Sequence, residues 1–193
     1  VMASDPDADR VGIAIRDHSG RLVLVNGNQT ASLLSYYLLS QWSERGKLKG
    51  KEYIVKTVVT TELIADMANY YKVPYWDVLT GFKFIADIIH KNEDSMTFIG
   101  GGEESYGFMI GDFVRDKDAV ASCSMLAEIA AWAKSRGLSM YDILMEMYLK
   151  FSVYQEALIN VVRKGKSGAE EIQQMMADFR KDPPVSLSGS PVV

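Results

Sequence analysis

Cysteine is all but missing from this chain: Cys123 is the single one in 193 residues, so no internal disulfide can form. That usage points to a reduced, cytoplasmic setting, with Cys123 a small apolar side chain in a predicted helix. Histidine is nearly as scarce. His18 falls in a turn and His90 near a helix end, neither has a nucleophile or metal ligand close in sequence, and both read as structural or surface residues. Long apolar runs are lacking too: no segment reaches the roughly 18 to 20 residues needed to cross a membrane, and no charged-then-apolar leader opens the chain. Nor is there an excess of basic residues, with 21 Lys and Arg against 25 Asp and Glu, a formal charge of −4 and a pI near 5.3. Broad attraction to nucleic acid or to an anionic membrane is thereby excluded, and any phosphate binding has to be local. The 48% of hydrophobic residues suffices for a soluble core. The chain also opens without an initiator Met, directly on a loop motif, as a piece of a longer protein would.

That motif is Ser4-Asp5-Pro6-Asp7-Ala8-Asp9-Arg10. Three carboxylates at alternating positions repel one another unless a cation sits among them, so Asp5, Asp7 and Asp9 read as a hard-metal loop with Arg10 as a fixed positive charge beside it. The bland alternative is a solvated turn before a strand. An EF-hand fails, because that loop needs Gly at its sixth position and Glu at its twelfth, where Arg10 and Arg16 stand. Mg²⁺ takes only one or two protein carboxylates and fills its shell with water and phosphate oxygens, which suggests phosphoryl chemistry.

After the loop, residues 11–16 and 21–25 form a predicted hairpin around Asp17-His18-Ser19-Gly20. An amphipathic helix is predicted over 30–45, with Asn26-Gly27-Asn28 offering its cap. Strands at 53–59, 75–79 and 96–99 then alternate with helices at 61–72 and 82–91. Two successive β-α-β units predict an α/β fold, a three-layer α/β/α domain with a largely parallel, mixed sheet, whose ligands gather at the carboxyl ends of the strands. Helices at 117–135 and 140–151 follow, the second capped by Ser139 with Asp142. A strand is predicted at 153–162, a last helix from a Ser167/Glu170 capping box to about 180, and a Pro/Ser/Gly-rich linker from 182 onward.

Three further stretches can carry chemistry. Thr80-Gly81-Phe82-Lys83 turns from strand to helix, where free N–H groups and Lys83 suit an oxyanion, although a Gly there is commonly only a turn and Phe82 reads as core. Gly100 to Gly107 is a glycine-bounded loop whose carboxylates and hydroxyl suit sugar hydroxyls, against the alternative of a surface hairpin. In Arg115-Asp116-Lys117-Asp118, Asp116 can cap the following helix, while Lys117 in its first turn would make sense with an anion in front of it.

Taken in order, Asp5-Pro6-Asp7-Ala8-Asp9-Arg10, Leu79-Thr80-Gly81-Phe82-Lys83, Gly102-Glu103-Glu104-Ser105-Tyr106-Gly107 and Arg115-Asp116-Lys117-Asp118 resemble the α-D-phosphohexomutases, the phosphoglucomutase/phosphomannomutase superfamily. The Thr-Gly-Phe-Lys form is similar to the branch with phosphoglucomutases and phosphopentomutases. The resemblance implies residues 1–25 as the end of a second domain with a short β-hairpin, 26–152 as a third domain, and 153–193 as strand, helix and linker toward a fourth. It implies a phosphoserine enzyme interconverting hexose or pentose 1-phosphate and the terminal phosphate isomer through a bisphosphate. Asp5, Asp7 and Asp9 would hold Mg²⁺; Arg10 and Lys117 would be catalytic; Thr80, Gly81, Lys83, Glu103 and Ser105 would bind the sugar phosphate. The partners implied are that substrate and the missing domains of the same polypeptide, with no nucleic acid and no membrane. The Thr-Ala-Ser-His-Asn-Pro and Arg-x-Ser-Gly-Thr-Glu-Pro types of segment are absent, so this stretch alone is expected to be inactive. Two other readings stay open: an Mg²⁺-dependent phosphatase or phosphotransferase using a loop Asp, and a non-catalytic sugar-phosphate-binding domain.

Overall fold

A computed structural model describes residues 1–157, 160–187 and 189–192, in two compact units, Val1–Gln155 and Glu156–Val193. The first unit opens with an antiparallel sheet of β1 (Met2–Ser4), β2 (Val11–Arg16) and β3 (Leu22–Val25), in that order. Along β2, Val11, Ile13 and Ile15 face the core while the residues between them face outward, the period of two that marks a half-buried strand. β2 and β3 are the predicted hairpin; β1, three residues long, carries no pattern by which it could be predicted. α1 (Gly27–Glu44) begins three residues before its predicted start, because Asn26 accepts from the Gln29 N–H and Gln29 reaches back to the Asn26 N–H in a capping box.

The central sheet has the order β5-β4-β6-β7, built from β4 (Glu52–Thr57), β5 (Tyr75–Val78), β6 (Thr97–Gly102) and β7 (Phe108–Ile110). Three strands are parallel and β7 is antiparallel. The sheet is covered on both faces: Ile54, Ile99 and Phe108 join α1, α2 (Leu63–Tyr71), α4 (Ala119–Ser135) and α5 (Met140–Phe151) in one core. Tyr53, Val55, Phe98 and Met109 join α3 (Phe82–Asn92) in the other. α2 leaves β4 on one face and α3 leaves β5 on the opposite face, so the chain reverses its winding at β4. The crevice at the carboxyl ends of β4 and β6 is therefore the place where such sheets hold ligands. Gly100 to Gly102 continue β6, so the glycine-bounded loop shrinks to 103–107.

Ser139 and Asp142 form the predicted capping box of α5. His18, read as a structural or surface residue, reaches the same carboxylate at 2.6 Å and stacks edge-on against Tyr141. The Ser139 N–H and hydroxyl, with His18, hold the Asp142 carboxyl at about 2. A depressed carboxylate stabilises the fold above its ordinary value of 3.8 and loses that contribution as pH falls through the folded value. The urea midpoint is thus expected to drop between about pH 4 and pH 2, and Asp142→Asn to flatten that drop; an unaltered slope in the variant would refute it. No helix among the described residues is long and apolar enough to cross a membrane.

In the second unit α6 (Gly165–Lys181) starts after Lys164 with no side-chain cap, so Ser167 and Glu170 lie inside the helix and the predicted box does not form. The strand predicted at 153–162 is absent from its described residues, 153–157 and 160–162, where alternation finds no partner strand; residues 158 and 159 lie outside the description. The predicted linker carries a two-residue pair, β8 (Ser186–Leu187) with β9 (Ser190–Pro191).

Candidate functional site

The aspartate loop is closed by its own first carboxylate. Asp5 Oδ1 accepts from the N–H groups of Asp9 and Arg10, each at 3.1 Å, the Ala8 N–H bonds to the Asp5 carbonyl at 3.0 Å, and Ala8 takes a left-handed φ of +56° to make the turn. Burial opposes ionisation of Asp5, but the Arg10 and Asp9 N–H groups outweigh it and hold its carboxyl below the ordinary range. Asp7 is exposed. Asp9 Oδ1 is buried without a hydrogen-bond partner, with the Arg10 Nε 3.8 Å away.

The loop is fastened to the other motifs through backbone. The Val11 N–H donates to the Tyr106 carbonyl at 3.1 Å, Arg10 bridges Gly107, and the Ala119 N–H at the start of α4 donates to the Ala8 carbonyl at 3.1 Å. Between the aspartate loop and the 103–107 turn lies a cleft of about 360 Å³ lined by Asp5, Arg10, Ser105 and Tyr106, among others.

Glu103 is only 5% exposed, so it braces the site from within and does not wave on a surface hairpin. Its Oε1 accepts from the Gly81 N–H at 2.6 Å and its Oε2 from the Ser105 hydroxyl at 3.2 Å. The 80–83 turn is thereby tied to the 103–107 turn. Gly81 has φ +122°, and α3 starts after it with no side-chain cap. Thr80 and Lys83 stand exposed on the rim, Lys83 over the Phe84 ring, while Phe82 is core.

Lys117 joins all four motifs. Its Nζ lies 3.0 Å from Asp9 Oδ2, 3.4 Å from Asp116 Oδ1 and 5.4 Å from the Phe82 ring centre, and its stem passes where a Cβ on Gly107 would stand, 3.0 Å from Lys117 Cδ. The Asp9 carboxylate holds its ammonium pKa above the ordinary range. The cap of α4 is Asp118, accepting from the Val120 and Ala121 N–H groups, so Asp116 is not the cap and Lys117 precedes the helix rather than sitting in its first turn.

Three residues missed in the sequence, Lys56, Thr57 and Thr60, build the floor. Lys56 is fully buried at the end of β4, with Nζ 2.7 Å from Asp77, 2.8 Å from Glu62 and 3.2 Å from the Thr60 carbonyl. Thr57 and Thr60 turn their hydroxyls to Glu104 Oε2 at 3.5 and 3.3 Å, and the Glu104 N–H returns to Thr60 Oγ1 at 3.2 Å. The signal was there in Lys56-Thr57 and Thr60-Thr61 at a strand's carboxyl end, hidden by extending that strand to 59.

A divalent cation fits the loop by its donors, three hard carboxylates with one buried oxygen unpartnered. Among the described residues no three His, Cys, Asp or Glu side chains form a ready-made metal group.

Fold and site together define a doubly wound α/β/α domain that gathers acidic, hydroxyl and ammonium groups at the carboxyl edge of its sheet. The chain belongs to the phosphoglucomutase/phosphomannomutase family, residues 26–151 matching the model of its alpha/beta/alpha domain III. A curated phosphoglucomutase of Staphylococcus aureus (strain MRSA252) is 38% identical over 190 residues, 98% of this chain and 34% of that protein, so the chain spans about a third of that relative. Among solved structures, the parafusin (phosphoglucomutase) of Paramecium in its open form aligns over 93% of this chain and 30% of its own, at 17% identity and a TM-score of 0.62. The N-acetylphosphoglucosamine mutase of Aspergillus fumigatus, in complex with GlcNAc-6P and magnesium, aligns over 76% of this chain and 34% of its own, at 15% identity and a TM-score of 0.56. At these identities the two structures speak for the fold.

Proposed function

We propose that the chain serves a phosphosugar mutase that interconverts a sugar 1-phosphate and its terminal phosphate isomer, of the glucose 1-phosphate/glucose 6-phosphate type. In this reading residues 1–25 end a second domain, 26–152 are the third and 153–193 lead toward a fourth, with the phosphoserine elsewhere in the polypeptide. The observation that carries it is the meeting of four motifs, separated by up to about 110 positions, in one hydrogen-bonded cluster around Lys117.

Asp5, Asp7 and Asp9 would hold Mg²⁺, a reading supported by their three hard carboxylates and the unpartnered Asp9 Oδ1; the Aspergillus mutase is a magnesium complex. The ion, when bound, would neutralise charge on the transferring phosphoryl group. Arg10, which lines the cleft, and Lys117, which is paired with Asp9, would supply positive charge for the same oxygens. Glu103 and Ser105 bind sugar hydroxyls by exchanging their mutual hydrogen bond for ones to the substrate, while Thr80, Gly81 and Lys83 form the rim that meets its phosphate side. A phosphatase using Asp5 as nucleophile finds less support, since Asp5 Oδ1 is already taken by two N–H groups.

The test is conversion of glucose 1-phosphate to glucose 6-phosphate. The 193-residue chain alone is expected to show none, and measurable turnover by it would overturn the assignment of the nucleophile to another segment. In the full-length protein Glu103→Gln is expected to lower kcat/KM by about 1 to 3 kcal/mol, the worth of a hydrogen bond to a charged group. Unchanged kinetics would remove Glu103 from the site.

A further inference from the structure

Lys117 does more in this structure than face a substrate. Its ammonium sits on Asp9, whose carboxylate is divided: Oδ2 is held by Nζ at 3.0 Å, and Oδ1 is buried with no hydrogen-bond partner. The carboxylates of Asp9 and Asp116 meet the ammonium, and beside them stand Arg10, half-exposed with its Nε 3.8 Å from Asp9 Oδ1, and Lys117, one-fifth exposed. The Lys117 stem is held between Gly107 and the Phe82 ring, so the ammonium is placed on the loop by packing as well as by charge. An aspartate that gives one oxygen to an ammonium and offers the other elsewhere has to share its charge between two cations, which repel each other across it.

We propose that Lys117 is the resident counter-ion of the aspartate loop, and that a divalent cation taken up there competes with it for Asp9 and frees the ammonium. This rests on the reading of Asp5, Asp7 and Asp9 as the metal loop. Reciprocity then follows: whatever Lys117 takes from cation affinity, the cation takes from the hold on Lys117. The loop stays charge-balanced without metal, and metal uptake delivers a mobile ammonium beside the cleft of Asp5, Arg10 and Ser105.

Two measurements on the 193-residue chain test it. Binding of Mn²⁺, a spectroscopically visible substitute for Mg²⁺, is followed by loss of its free-ion EPR signal. Lys117→Met, which keeps the stem over Phe82 and Gly107, is expected to bind Mn²⁺ about tenfold more tightly than the unaltered chain, a typical coupling between two ligands. Lys117→Arg is expected to stay near the unaltered affinity. Equal or weaker binding by Lys117→Met would overturn the proposal while leaving the metal reading in place; Mn²⁺ binding to none of the three chains would overturn both. The second measurement needs no variant. Trace acetylation mapped by mass spectrometry is expected to label Lys117 several-fold faster in saturating Mg²⁺, with exposed Lys83 unaffected, and Mg²⁺-independent labelling of Lys117 would refute the release.

Discussion

Gly27→Ala is expected to destabilise the chain by about 3 kcal/mol, the upper end for overpacking a filled site. Alanine is the better helix former by about 1 kcal/mol in a helix interior, and Gly27 opens α1, so propensity alone predicts a small gain. Space decides the other way. A Cβ on Gly27 would stand 1.6 Å from the Glu104 carbonyl oxygen and 3.1 Å from the Tyr106 nitrogen. Both are backbone atoms, so no side-chain rotation relieves the clash and either α1 or the 103–107 turn has to retreat. Asn28 adds to the cost, because its Oδ1 accepts from the Thr61 N–H at 3.0 Å and would be carried away with the helix start. A lowered urea midpoint at constant m-value is the expected signature. An equal or higher midpoint would show that the turn is looser against α1 than this packing allows.

The alternation of strands and helices was legible, because buried parallel strands and amphipathic helices differ in period, and Ile54 against Tyr53 and Val55 divides the two cores as that pattern requires. The family resemblance lay in short motifs whose order survives in the sequence. What could not be read was which atoms meet. Glu103 and Ser105 stand in a stretch that suits a sugar, yet the bond from Gly81 to Glu103 depends on the ends of β5 and β6 flanking β4, which only the sheet order supplies. β7 escaped notice because three residues carry no periodicity, and β6 was cut short because glycines weaken a strand in isolation. Asp118 displaced Asp116 as the α4 cap because the choice between two nearby aspartates is made by backbone conformation, extended at Asp118.

Lys56 was invisible for a related reason: a lysine in a strand is ordinarily read as an outward residue, and here it is fully buried. Burial pushes its ammonium pKa down, but Asp77 and Glu62 outweigh that and leave it raised. Lys56→Met is expected to destabilise the chain by about 2 to 3 kcal/mol, below the range for breaking a fully buried ion pair, because Asp77 and Glu62 are partly exposed and water can reclaim them. The Thr60 carbonyl, in contrast, loses a charge-assisted partner. Thr60 also holds the Glu104 N–H and carboxylate, so the disturbance runs from a residue outside every motif to the turn that carries Glu103 and Ser105. Amide hydrogen exchange separates the two effects. In Lys56→Met the Glu104 N–H is expected to exchange faster than the general loss of stability explains, relative to a β4–β6 amide such as Val55. Equal acceleration of both amides would confine Lys56 to the stability of the sheet and cut its link to the site.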